Sequence, residues 1–309
     1  MTQPTVARPA AVVTGVSSGI GLAIAEDLLE RGYRVFGSVR RAVDADALST
    51  RWPGDFVPLV FDVTDTFALP HVVQQVRASL GGQSLKVLVN NAGISHSGPL
   101  IHQPLEEIRQ TFEVNVFGLL AVTRAFLPLL AGSRTAGTAP GRIVNIGSLS
   151  GAITVPFMAS YSGSKHAVEA LSQGLRRELL PFGIDVATIE PGFIRSRMFE
   201  KAAPLKASER YADTEYSDAW RQFNRSLLEQ ERTAKPPEVV TRAVVHAIES
   251  SRPRTRYRLD PLWFIGRLLS DRGFDRLILK ALGLTTLMRS ARPVSPSGSQ
   301  MEMKQKTQA

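Results

Sequence analysis

The chain has no cysteine in 309 residues. Disulfides and thiolate metal sites are excluded, and a reducing, cytoplasmic setting is the expectation. Histidine is scarce, with 5 residues, and no His/Cys cluster points to a metal, so none is expected. No stretch approaches the ~18 uncharged apolar residues of a spanning helix. The opening residues, MTQPTVARPAAVVTG, lack an apolar secretory core. Neither a membrane span nor a leader is therefore expected. Acidic residues are outnumbered 28 to 37, a net charge of +9. The excess is local: between Arg252 and Arg292, ten Lys and Arg oppose Asp260, Asp271 and Asp275. That segment carries no recognisable nucleic-acid motif, so no nucleic acid partner is expected. A solvated face is the first reading of it, and peripheral contact with an anionic membrane surface the next.

What the chain does contain is a regular alternation. Its hydrophobic fraction of 43% suffices for a sizeable core. Short β-branched runs read as strands at 10–15, 33–40, 56–65, 85–93, 142–148 and 184–192. Helical periodicity fills 20–32, the stretch up to about Leu80, 104–131 and 159–181, and a further helix starts at PPEVV. Strands that alternate with helices build a parallel sheet through right-handed crossovers. The fold class expected is α/β, a doubly wound parallel sheet of the Rossmann type with helices on both faces.

Two short motifs carry chemistry. The first strand runs into TGVSSGIG, with glycines at 15, 19 and 21. Such a turn lets backbone approach a pyrophosphate at the N-terminus of the next helix, where free N–H groups and the helix dipole favour anions. YSGSK places the Tyr161 phenol and the Lys165 amine four residues apart, on one face of a helix. An ammonium beside a phenol favours the phenolate, which would bring Tyr161 toward proton exchange near neutral pH.

With TGVSSGIG, Asp62-Val63, NNAG at 90–93, Asn115, Ser148, YSGSK and Pro191-Gly192 in this order, the sequence resembles the short-chain dehydrogenase/reductase family in its single-domain form. Ser148 stands 13 residues before Tyr161, the family's interval. The resemblance implies a Tyr161 general acid/base and a Lys165 that lowers its pKa and holds the nicotinamide ribose. It implies further that Ser148 donates to the substrate oxygen and that Asn115 holds a water linking Lys165 to solvent. Cofactor contacts implied are Gly15, Ser17, Ser18, Gly19, Ile20 and Gly21 of the loop, Asp62 and Val63 at the adenine, and Asn91, Ala92 and Gly93. Tyr161, Lys165, Pro191, Gly192, Ile194 and Ser196 complete the set on the nicotinamide side; the family often has Thr at the Ser196 position.

The second strand ends in Arg40 and Arg41 with no acid. An acid there selects NAD, whereas guanidinium groups suit a 2′-phosphate, so NADP is expected. Residues 193–235 form the expected substrate lid; Phe193, Met198, Phe199, Tyr211, Tyr216, Trp220 and Phe223 wall an apolar pocket or pack the lid itself. Phe157 and Met158 point the same way, while His96 and His102 read as satisfied loop residues. One catalytic domain is expected over 1–260. A C-terminal extension at 261–290, two amphipathic helices separated near Gly273, packs on it, and 293–309 reads as a disordered tail. The extension resembles the hydroxysteroid and retinol dehydrogenase branch. It caps the pocket, meets a partner subunit or lies on a membrane, in that order. The expected activity is interconversion of a bulky apolar ketone or aldehyde and its alcohol, in a homodimer or homotetramer. The alternative is a non-catalytic NADP-binding regulator.

Overall fold

In the computed structural model, residues 8–132, 139–195 and 209–285 are described. Ser196, Met198, Phe199 and the tail at 293–309 lie outside them.

Seven parallel strands form one sheet in the order β3-β2-β1-β4-β5-β6-β7. They are β1 (Ala10–Val13), β2 (Arg34–Val39), β3 (Phe56–Val60), β4 (Val87–Asn90), β5 (Arg142–Ile146), β6 (Asp185–Glu190) and β7 (Arg256–Arg258). Each of the first six strands is shorter than the apolar run that announces it. The chain leaves the ladder where side chains take over its hydrogen bonds: Thr14 Oγ1 accepts from the N–H groups of both Asn91 and Ala92 at 2.9 Å. The order reverses between β1 and β4, and a crevice opens there beyond the strands' carboxyl ends.

Period-two alternation sorts the core. Ala11 and Val13 face a layer holding Ile24 and Leu28 of α1 (Gly19–Glu30) and Val240 and Val244 of a later helix, Glu238–Glu249. Ala10 and Val12 face the other layer, with Val72 and Val76 of α3 (Leu69–Leu80) and Val122 and Phe126 of α5 (Leu119–Leu130). A short helix α2 (Asp46–Arg51), preceded by a 3-10 turn over Ala42–Ala45, was not legible in the sequence because six residues are too few for a periodicity.

α4 (Leu105–Phe112) passes into α5 through a π-helical turn, Glu113–Gly118. The continuous stretch Leu105–Leu130 is long and apolar enough to cross a membrane by length and composition, but half of its apolar window is buried inside the fold. Then come α6 (Ala159–Leu179), α7 (Ser217–Arg232) and α8 (Glu238–Glu249), followed by α9 (Leu262–Leu268) and α10 (Asp271–Ala281). The last two helices separate at Leu269-Ser270, not near Gly273. Ser270 stands in extended backbone and Asp271 occupies the first turn, a start signal that outweighs a lone glycine.

A third apolar cluster sits beyond the strand ends. Phe157, Met158, Tyr211, Trp220 and Phe223 pack there with Leu282 and Leu284, which follow α10. The C-terminal segment thus returns to the open end of the sheet.

Candidate active site

The crevice is a cavity of about 820 Å³. Its floor is the turn from β1 into α1. Gly15 and Gly19 hold left-handed backbone, at φ +72° and +60°. A Cβ on Gly21 would stand 2.2 Å from the Gly15 carbonyl oxygen and 2.3 Å from Asn91 Nδ2, so no larger residue fits. Asn91 Nδ2 donates to the carbonyls of Thr14 (2.9 Å) and Gly15 (3.1 Å), clamping the turn to the end of β4. Ser18 caps α1 in extended backbone without a side-chain cap bond. The first N–H groups of α1 therefore face the cavity with the positive end of the dipole.

These features fit a dinucleotide. The glycine turn suits its pyrophosphate, and Arg40 lines the cavity at the adenosine end together with Asp62 and Val63. Ser17, Ser18, Ile20, Ala92, Gly93, Pro191, Gly192 and Ile194 also line it. Arg41 does not. It turns away into a two-pronged pair with Asp44, Nη2 at 2.6 Å and Nε at 3.0 Å, and is mostly exposed. The carboxylate of Asp44, three residues on across the 3-10 turn, is the nearer partner, which sequence reasoning did not weigh.

The chemical end lies where β5 and α6 converge. Lys165 and Tyr161 sit on one face of α6, with Lys165 Nζ 5.8 Å from the centre of the phenol ring. Lys165 is buried and its ammonium donates to the Ile146 carbonyl at 2.9 Å. Ser148 follows β5; its Oγ accepts from Ser150 N at 3.0 Å and its hydroxyl hydrogen-bonds the Tyr161 phenol. Burial pushes the Tyr161 phenol above its ordinary pKa, and the Ser148 bond opposes it only in part. Burial lowers Lys165 to about 8, against the pull of Glu169. Burial thus works against the phenolate that the Tyr-Lys spacing favours.

Asn115 projects from the π-helical turn. Its amide accepts from Ile94 N (2.8 Å) and donates to Ile94 O (2.9 Å) and Ser164 Oγ (3.0 Å). It is buried and does not line the cavity, so it ties the exit of β4 to α6 one residue before Lys165. Gly93 lies between the two: a Cβ there would be 3.2 Å from Asn115 Oδ1 and 3.8 Å from Lys165 Nζ.

On the substrate side, Met158, Phe193, Trp220 and Phe223 line the cavity, with Leu227 and Leu282. Phe157, Tyr211 and Tyr216 do not. They pack behind the wall, with the Phe157 ring 5.6 Å from Trp220 and 5.2 Å from Phe223. His96 reaches the cavity but is held by Thr111 at 3.1 Å, and His102 pairs with Glu215 at 3.1 Å. Ser38 escaped the sequence reading. Its hydroxyl accepts from Gly15 N at 2.9 Å, and nothing distinguishes a serine inside a strand before the register is known. Arg210 and Gln230, polar residues at the substrate end, were missed for the same want of a spacing signal.

A family model described as short chain dehydrogenase matches residues 9–206. The NADPH-dependent 3-dehydrocapnine reductase of Ornithobacterium rhinotracheale is 41% identical over 276 residues, 88% of this chain and 96% of the relative. The 17-beta-hydroxysteroid dehydrogenase type 6 of Bos taurus is 35% identical over 258 residues, covering 79% of this chain and 78% of its own. The crystal structure of a short-chain dehydrogenase from Streptomyces avermitilis superposes with a TM-score of 0.68 at 28% identity, over 93% of this chain and all of the other.

Proposed function

The chain belongs to the short chain dehydrogenase family, and on that premise we propose that it reduces a bulky, largely apolar ketone to an alcohol with NADPH. NADPH, when bound, supplies the hydride. The protein supplies the proton and the setting for it. Tyr161 holds a proton at its phenol oxygen at neutral pH, the state a proton donor needs. Ser148 bonds that same phenol and is placed to donate to the substrate oxygen as it gains charge. Lys165, held by the Ile146 carbonyl, places positive charge beside the phenol and stabilises the tyrosinate left when the proton moves. Asn115 fixes α6 against the end of β4, which keeps the distance between these groups. The glycine turn, Asn91 and Arg40 bind and orient the cofactor, Arg40 through the 2′-phosphate.

The observation that carries the reading is a half-buried Tyr161 that shares the lining of the dinucleotide crevice with Ser148 and Lys165. The substrate reading is supported by the apolar wall of Met158, Trp220, Phe223 and Leu282, and by a 41% identical relative whose name is that of an NADPH-dependent reductase. Tyr161→Phe tests it. Loss of the proton donor lowers kcat by about 10²–10⁴-fold, with NADPH binding within a few-fold of wild type. Turnover that survives the substitution would falsify the assignment of Tyr161.

A further inference from the structure

Beside Lys165, and outside the lining of the cleft, lies a charged cluster that the proposed reaction does not use. Glu169 follows Lys165 by one turn on α6, and Glu190 ends β6 directly before Pro191 and Gly192. Their side chains are only 9% and 2% exposed. Arg256 of β7 reaches both: Nη2 lies 2.8 Å from Glu169 Oε2, and Nε lies 3.6 Å from Glu190 Oε1. Arg258 acts on both carboxyl groups and lies 3.5 Å over the ring of Trp263 in α9. Glu169 and Glu190 are thus two buried carboxyl groups gathered around one guanidinium. The Ser148 turn closes the other side. A Cβ on Gly147 would stand 3.1 Å from Glu169 Oε1, and one on Gly151 would stand 3.0 Å from its Cγ.

We propose that Glu169 is a positioning residue whose buried carboxyl group, one helical turn from Lys165 and held by Arg256, sets the charge that Lys165 carries. The inference rests on the role given to Lys165 above. The groups that act on Glu169 are Lys165 from its own helix, Glu190 from β6, and Arg256 and Arg258 from β7. Burial and the charge of Glu190 push Glu169 up to about 7, while the two arginines oppose them. Ionised Glu169 in turn supports the Lys165 ammonium against the burial that lowers it to about 8. The carboxyl ionises just below the pH at which the ammonium is lost, and each charge sustains the other. Through Arg256, Arg258 and Trp263 the C-terminal strand and helix hold this pair in place.

The test is the pH dependence of NADPH affinity, read by protein fluorescence, and of kcat/KM, in the full chain and in Glu169→Gln and Glu190→Gln. The amide introduced by Glu169→Gln carries no charge. Lys165 then loses its proton more readily, and the alkaline limb moves to lower pH by about one pH unit or more. Glu190→Gln removes the like charge but leaves Glu169 ionised where Lys165 titrates, so its limb stays near that of wild type. A downward displacement in Glu169→Gln alone supports the inference. Unmoved limbs with a uniform loss of activity, or displacement of both in one direction, overturn it. If Glu169→Gln does not fold by circular dichroism, the uncharged, apolar Glu169→Leu is read for the same downward move, and an unmoved limb there overturns the inference. The reading of Tyr161 fails separately, on retained turnover in Tyr161→Phe, wherever the limbs lie.

Discussion

Arg40 and Arg41 are adjacent in sequence, and the fold gives them different surroundings. Arg40 lines the cavity, whereas Arg41 is taken by Asp44. Arg40→Ala should weaken NADPH binding by about ten- to a hundredfold, the worth of charge-assisted bonds to a phosphate, and leave NADH nearly unchanged; titration of both cofactors by fluorescence checks it. Arg41→Ala should move neither by more than a few-fold, because an exposed ion pair contributes little. The catalytic side chains were legible in the sequence because their chemistry demands particular types at fixed intervals: phenol and amine one helical turn apart, and a hydroxyl on the preceding strand end. Their protonation was not. Spacing places a charge near a phenol but carries no measure of burial, and burial decides the direction for Tyr161. Arg256 and Glu190 were illegible for a related reason. They meet Glu169 only through the pairing of β6 with β7, and a three-residue strand announces no register.

At the scale of elements, the long apolar runs and amphipathic helices were legible, while their ends were not. Strand ends give way to side-chain hydrogen bonds such as those of Thr14, and these depend on neighbours far along the chain. The C-terminal segment has an inner side that closes on the substrate wall. Leu284 is fully buried there, and Ser226 Oγ donates to the Leu282 carbonyl at 3.2 Å. Leu284→Ala should therefore cost about 2–5 kcal/mol of stability. It should also raise KM for a bulky ketone more than for a small aldehyde; chemical denaturation and steady-state kinetics check the two parts. Wild-type behaviour in both would detach the segment from the site. Its outer side leaves Phe264 and Leu268 exposed, at 52% and 85%. Arg272, Arg276 and Lys280 recur every fourth residue along α10. Membrane contact through this side predicts flotation with anionic vesicles that added salt reverses, and no flotation with neutral ones.

The molecule as a whole is one sheet whose two faces bury separate cores and whose open end gathers Ser148, Tyr161, Lys165 and the cofactor turn. Phe117 and Leu105 remain exposed on the α4–α5 stretch, as do Leu180 and Phe182 after α6. These belong to the helical regions where a homodimer or homotetramer is expected to pair. Light scattering coupled to gel filtration should give a multiple of the 33.7 kDa chain mass, and Phe117→Asp should reduce it. The central claim, an NADPH-dependent reduction of a bulky apolar carbonyl, is tested most directly by loss of reduced-nicotinamide absorbance. NADPH and NADH would each be offered a panel of steroid ketones, retinal, long-chain ketones and small aldehydes. The account predicts consumption of NADPH, well ahead of NADH, with a bulky apolar carbonyl and little with small ones. Preference for NADH, or turnover confined to small polar carbonyls, would contradict it.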